Sequence, residues 1–258
     1  MVCQGIVEKI EASYDKEYAL EWDNVGLLVG RDDKEVKKIY IALDATDEVI
    51  ANALAFGADM LITHHPLLFS PIKRITSSDF IGRRIIQLIQ NDISYYAAHT
   101  NYDVLGMSDL SGAVLGLENS ETLEVTAVEG DLGIGKVAKL ESSVTLGEFS
   151  KQVKDRFHLG SVKVFGDLDD QVSVVAISPG SGSSMIRPAI NKGADVLITG
   201  DIDHHTGIDA LDQGLRVIDA GHYGIEHIFI EDMKEFILQQ IPEVIVATEP
   251  LKSPFIIV

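Results

Sequence analysis

Residues 57–63 read GADMLIT, and residues 193–199 read GADVLIT. Six of the seven positions agree, and the two stretches lie 136 residues apart. Two unrelated strands would share scattered Val and Ile. Here a Gly-Ala-Asp triplet precedes the apolar run both times, at a joint where a helix ends and a strand begins. Glycine suits the left-handed cap of a helix C-terminus, and a continuous apolar run suits a strand covered on both faces. The chain therefore holds two related α/β units from one duplication. It is not a solenoid, which needs shorter periods and at least three copies.

Around the first copy, KIYIALD (38–44) predicts a strand and DEVIANALAFG (47–57) a helix capped by Gly57. ADMLIT (58–63) follows as a strand, FIGRRIIQLIQND (80–92) as a helix and ISYYAA (93–98) as a strand. Around the second copy the order returns: strand QVSVVAIS (171–178), loop PGSGSS, helix MIRPAINKG (185–193), strand ADVLIT (194–199), a helix near IDALDQG (208–214) and strand LRVIDA (215–220). The stretch 118–170 differs in character. VEGDLGIGKVAKLE (128–141) predicts a hairpin with glycines at its turn, LGEFSKQVKDRFHLG (146–160) an amphipathic helix and VKVFG (162–166) a strand. A helix over about 223–240 and apolar segments EVIVAT (243–248) and PFIIV (254–258) close the chain. The fold class is α/β, two related units with mostly parallel sheets covered by helices. The first domain is expected over 1–126 plus about 222–258, the second over 127–221.

Composition narrows the function. The formal charge is -19, from 21 basic and 40 acidic side chains. That surface repels phosphate backbones and anionic lipids, and no Lys/Arg cluster offsets it, which argues against nucleic acid and membrane as partners. No apolar run reaches the ~20 residues of a transmembrane helix. The N-terminal MVCQGIVEKIEASYDKE lacks the basic start and long apolar stretch of a signal peptide, so the expected compartment is the cytoplasm. The one cysteine, Cys3, excludes an intramolecular disulfide. Beside a terminus expected to be mobile, it reads as incidental, not reactive.

The chemistry gathers after the strands. His64 and His65 follow ADMLIT, and His99 and Asp103 follow ISYYAA. Asp201, His204 and His205 follow ADVLIT, and His222 and Glu226 follow LRVIDA. Parallel strands end at one sheet edge, where α/β proteins place their sites. Imidazoles and carboxylates are the ligand set of Zn²⁺, Mn²⁺ or Fe²⁺. Neighbouring side chains on extended backbone diverge, so His64 and His65 suit two ions better than one. A dinuclear site needs ions ~3.5–4 Å apart and a bridging carboxylate. His222 and Glu226, four apart at a helix start, share a face; His222 binds one ion, Glu226 spans both and Asp103 completes the other. Pro66 stiffens the turn after the histidine pair. His205, His99 and Asp201 are candidates for acid or base, or for orienting the ligands. His158 and His227 read as histidines bonded to backbone carbonyls. PGSGSS reads as a tight turn, with a phosphate cradle as the competing reading.

ITHHPLLF (62–69), AAHTNYD (97–103), GDIDHHTGIDA (200–210) and DAGHYGIEH (219–227), with WDNVGL (22–27) and PGSGSS (179–184), resemble the Nif-three-like family. Its members are often described as GTP cyclohydrolase I type 2 homologues with a dinuclear metal centre. The resemblance spans nearly the whole chain and implies two interlocked α/β domains and a toroidal homo-hexamer. It carries the metal-ligand pattern onto His64, His65, Asp103, His222 and Glu226, and matches His205 to a further family histidine, beside an extra His204. EYALEWDN lacks a proline associated with the family, which bears on a loop. Some members carry an inserted middle domain, for which this chain is too short. The expected activity is a hydrolase using two divalent metal ions per chain on a small-molecule substrate, a nucleotide or pterin-like compound. The alternatives are a non-enzymatic metal-binding, delivery or scaffold protein and a metal-dependent phosphoesterase.

Overall fold

The computed structural model describes residues 1–127 and 130–257, and both Gly-Ala-Asp joints fold alike in it. Gly57 and Gly193 take φ of 75° and 71°, a region open to glycine because it lacks Cβ. The next amide closes each helix, Ala58 donating to the Ala53 carbonyl at 2.9 Å and Ala194 to Ala189 at 3.0 Å. Asp59 Oδ2 accepts from the Lys37 and Lys38 amides at 2.8 and 2.9 Å. Asp195 Oδ2 accepts from the Ser173 and Val174 amides at the same two distances, 2.8 and 2.9 Å. Each aspartate thus satisfies two consecutive backbone donors in the first part of the neighbouring strand or just before it.

In chain order the elements are α1 (Cys3–Ser13), β1 (Gly26–Val29), β2 (Lys38–Ala42), α2 (Asp47–Phe56), β3 (Met60–Thr63), α3 (Phe80–Gln90), β4 (Ser94–Ala97) and the short α4 (Thr100–Tyr102). A π-helical turn, Asp103–Met107, leads into α5 (Ser108–Leu115). Then come β5 (Glu121–Val125), β6 (Gly133–Thr145), α6 (Leu146–Arg156), β7 (Lys163–Phe165), β8 (Gln171–Ser181), α7 (Ile186–Asn191), β9 (Val196–Gly200), α8 (His204–Asp212), β10 (Arg216–Asp219), α9 (His222–Glu226), α10 (Ile228–Gln240) and β11 (Ile245–Thr248). One unit comprises Met1–Tyr102 and Phe229–Lys252, and the other Asp103–Ile228 and the chain from Ser253. The expected boundaries, after 126 and after 221, both fall inside the second unit.

The first unit's sheet runs β1-β4-β3-β2-β11. All its neighbours pair in parallel except β1 with β4. Tyr40, Leu61 and Tyr95 pack with Ile50, Ala53 and Leu88 of the helices in one core. The second unit's sheet runs β5-β6-β8-β9-β10-β7. Only its centre, β8-β9-β10, is parallel; the flanks are antiparallel, so this sheet is mixed where mostly parallel pairing was expected. Alternate residues supply opposite faces: Val175, Ile177, Val196 and Ile198 pack with Phe149 and Phe157, while Ala176, Leu197 and Val217 pack with Ala189 and Ala210. A period of two with both faces apolar is a sheet covered on both sides.

Several expectations need correction. The N-terminus is anchored, not mobile: Cys3 is fully buried at the start of α1, and its amide donates to the Lys34 carbonyl at 2.8 Å. The expected hairpin within 128–141 is instead β6 paired with the preceding β5; its first residues, Val128 and Glu129, lie outside the described residues. Gly135, read as a turn residue, stays inside β6 at φ 74°, with the Ile177 carbonyl too close for a Cβ. The helix expected over 223–240 is two helices, α9 and α10. The loop PGSGSS is shortened because β8 runs to Ser181. The following α7 has only six residues. A Cβ at Gly182 would lie 1.8 Å from Thr199 Oγ1, so this glycine lets strand and turn pack closely, as a tight turn requires.

Candidate metal centre

In the first unit, β3 delivers His64 and His65, and β4 delivers His99. Thr63 pairs with Ala97 in parallel register, which puts both exits at one edge. The backbone after the pair is held by the buried Tyr95 phenol. Its oxygen lies 2.7 Å from Thr63 Oγ1 and 3.0 Å from the His65 carbonyl, and accepts from the Leu67 amide at 2.8 Å. Burial, outweighing those bonds, keeps this phenol protonated. The ligand atoms of His64, His65 and His99 lie within 4.8 Å of one another.

Each of these rings is fixed through Nδ1. His64 Nδ1 lies 2.7 Å from the Ala98 carbonyl, His65 Nδ1 lies 2.9 Å from Asp44 Oδ1 and His99 Nδ1 lies 2.9 Å from Asp23 Oδ1. Carbonyls and carboxylates only accept, so Nδ1 carries the proton and Nε2 the lone pair of the neutral ring. That is the arrangement of metal-ligating histidines, whose second nitrogen donates to an oxygen. Asp23 Oδ2 also accepts from the Thr100 amide at 3.0 Å. Burial raises the Asp23 pKa, but the bonds to His99 and Thr100 outweigh it and hold the group at about 2.

The second unit has a set of its own. His222 and Glu226 lie one turn apart on α9, with Nε2 and Oε2 2.9 Å apart. His222 Nδ1 lies 2.7 Å from Asp201 Oδ2. Asp201 takes a left-handed φ of 57°, which aspartate tolerates better than most residues. Gly200 before it leaves room: a Cβ there would meet the His222 amide at 2.4 Å. Burial lowers the His222 pKa, yet Glu226 and then Asp201 raise it more, to about 9. Glu226 is buried and backed by Gly180, where a Cβ would lie 2.5 Å from Oε1. Asp103 opens the π-helical turn, and one of its carboxylate oxygens lies within 4.8 Å of one from Glu226. Such turns recur at functional sites. The buried Asp219 at the end of β10 ties both loops together, accepting from the Gly221 and Ile202 amides at 3.0 and 3.1 Å.

The structure therefore gathers His64, His65 and His99 in one unit and Asp103, His222 and Glu226 in the other. Asp201 sits behind His222 as its orienting carboxylate. His205 is exposed on α8, stacked against His204 and apart from the metal-ligand groups found among the described residues. His227 Nε2 donates to the Phe157 carbonyl at 3.0 Å, as the backbone-bonded reading requires. His158 is exposed in a left-handed conformation, φ 56°, unlike the buried histidine expected there. Sequence reasoning missed Asp44, Asp23 and Tyr95. The signal for Asp44 was present, because it ends the strand KIYIALD at the same edge.

A profile of the Duf34/NIF3 (NGG1p interacting factor 3) family matches residues 1–253. The chain belongs to the Duf34/NIF3 family. Among its relatives, a GTP cyclohydrolase 1 type 2 homolog from Clostridium perfringens is 37% identical over 91% of each chain. Another of that name from Streptococcus pneumoniae is 38% identical, covering 93% of this chain and 91% of the relative. A Bacillus cereus protein related to NIF3 superposes with a TM-score of 0.90 at 28% identity over 100% of this chain and 99% of that one. Reduced HcgD from Methanocaldococcus jannaschii gives a TM-score of 0.84 at 36% identity over 96% and 97% of the two chains. These NIF3 proteins share the two helix-covered sheets. No helix among the described residues is long and apolar enough to cross a membrane.

Proposed function

We propose that this NIF3 protein is a hydrolase that uses two divalent metal ions per chain, with His64, His65, Asp103, His222 and Glu226 as ligands. The observation that carries the reading is the common wiring of the imidazoles: His64, His65, His99 and His222 each bind an oxygen through Nδ1. Ordinary surface histidines have no need of four such supports. Glu226, buried and pressed against Gly180, would supply a carboxylate ligand to the metal. Divalent ions bound there would lower the pKa of water and polarise an electrophile. The chain's own residues orient the ligands: Asp44, Asp23, Asp201 and the Ala98 carbonyl set the ring planes. His99, tied to Asp23, is placed either to complete the ligand set or to move a proton at Nε2. His205 lies on the exposed start of α8, where it could meet substrate. Ligands of this kind accept most first-row divalent ions.

The name of the relatives supports a guanine nucleotide as the substrate class. A GTP cyclohydrolase reaction would add one water at C8 of guanine, opening the five-membered ring to a formamide, and a second water would cleave the formamide to formate and a free amine. Protein purified without chelator and reloaded with Mn²⁺, Fe²⁺ or Zn²⁺ should release formate from GTP or cleave a phosphoester. No turnover with any metal or substrate, alongside intact metal binding, would favour metal storage or delivery. Glu226→Gln should lose at least one ion per chain without unfolding, while His227→Gln should leave metal content unchanged; both are read by elemental analysis and circular dichroism. The homo-hexamer is tested by light scattering.

A further inference from the structure

We propose that Trp22 and Phe69 form a stacking face for the planar heteroaromatic ring of a ligand, at the edge of the histidine cluster. The two rings are 5.5 Å apart, tilted by 48°. Both side chains are large, apolar and 56% exposed. Both also approach His99 edge-on, Trp22 at 5.9 Å and Phe69 at 6.4 Å between ring centroids. Exposed aromatics on free loops would be ordinary surface, but these loops are tied down. Asp23, next to Trp22, is bonded to His99 and Thr100. The Leu20 amide donates to Thr100 Oγ1 at 2.9 Å, and the Asp23 amide donates to the Leu20 carbonyl at 2.9 Å, closing the turn that carries Trp22. Asn24 Nδ2 donates across to the Leu68 carbonyl at 2.6 Å, joining the Trp22 loop to the Phe69 loop. The Leu67 amide is bonded to Tyr95 Oη two residues before Phe69.

Holding two apolar rings in place with more than half of each still exposed to water does little for folding. It has a use in binding, because a preset π-face accepts a flat ring without further ordering. The location beside His99, at the edge of the histidine cluster, gives such a ring a purpose under the hydrolase reading, on which that purpose rests. The binding step itself is independent of it.

Trp22 is the only tryptophan in the chain, so its fluorescence reports the face directly. Chelator-treated full-length protein is titrated with guanosine, with pterin and with ribose 5-phosphate. Saturable quenching by guanosine or pterin, and none by ribose 5-phosphate, is expected; whichever ring binds identifies the ligand type. Phe69→Ala should weaken that binding roughly fivefold to a hundredfold, and Phe69→Tyr should keep it. Equilibrium dialysis with the same ring should show loss in Trp22→Ala and retention in Trp22→Phe. Absence of saturable quenching by both rings, or an unchanged response in Phe69→Ala, overturns the proposal. So does Trp22 emission that shifts with protein concentration and ignores both rings, which would assign the pair to a contact between copies. Quenching without metal binding would retire the metal reading and leave this one; metal binding without quenching would do the reverse.

Discussion

The two Gly-Ala-Asp joints agree down to their hydrogen bonds and then diverge within one residue. After Thr63 the first copy places His64 and His65, while after Thr199 the second places Gly200 and Asp201. In the first copy the strand end itself supplies imidazoles. In the second it supplies space and an orienting carboxylate, and the imidazole comes from the next strand as His222. One duplicated frame therefore carries two roles, a pair of imidazoles at one exit and a carboxylate that orients an imidazole at the other. The frame is set before the exit, so chemistry after it can change at little cost to the fold.

The largest test of that contrast converts one exit into the other. Replacing His64 and His65 with Gly and Asp should abolish metal binding altogether, read by elemental analysis. Circular dichroism should stay unchanged, because the Gly57-Ala58-Asp59 joint is untouched. A collapsed fold would show that the exit and the frame are not separable. A second test addresses the supports. Asp44→Asn should weaken metal binding about tenfold to a hundredfold by loosening His65, measured by competition with a chelator dye.

A third test addresses the shared frame. Asp59→Ala and Asp195→Ala should each destabilise the protein by about 1–3 kcal/mol in urea denaturation, since each strands two backbone donors. Clearly unequal losses would mean the joints are alike only in shape. The smallest effect is in pH. In metal-free protein the His222 pKa stands at about 9, above the ordinary 6.5. A raised folded-state pKa gives stability that is full below 6.5 and lost as pH rises through 9. The urea midpoint of chelator-treated protein should therefore fall over that window, and Glu226→Gln should flatten the slope.

Much of this was legible in the sequence because parallel strands send their carboxyl ends to one edge. His64, His65, His99, Asp103, His222 and Glu226 all stand just past the end of a strand that its apolar run makes plain. The supports were harder to read. Asp23 comes from an irregular segment far from His99 in sequence, and nothing periodic marks it. Tyr95 reads as a core strand residue, and only the folded turn shows its hydroxyl bonding three partners. Glycine misled the reading of 128–141, because Gly135 in a strand looks like Gly in a turn until its neighbour's carbonyl is placed. The antiparallel flanks of the second sheet were hidden because β6 pairs with β8 across α6 and β7, and β7 pairs with the distant β10, neither of which an apolar run announces.

The sole thiol offers one more handle. Cys3 has no solvent-exposed surface, and burial raises its pKa, so a thiol reagent meets neither an open path nor a thiolate. Labelling must wait until α1 lifts away. Its rate therefore clocks the opening of the first unit, in every variant considered above, without any added probe.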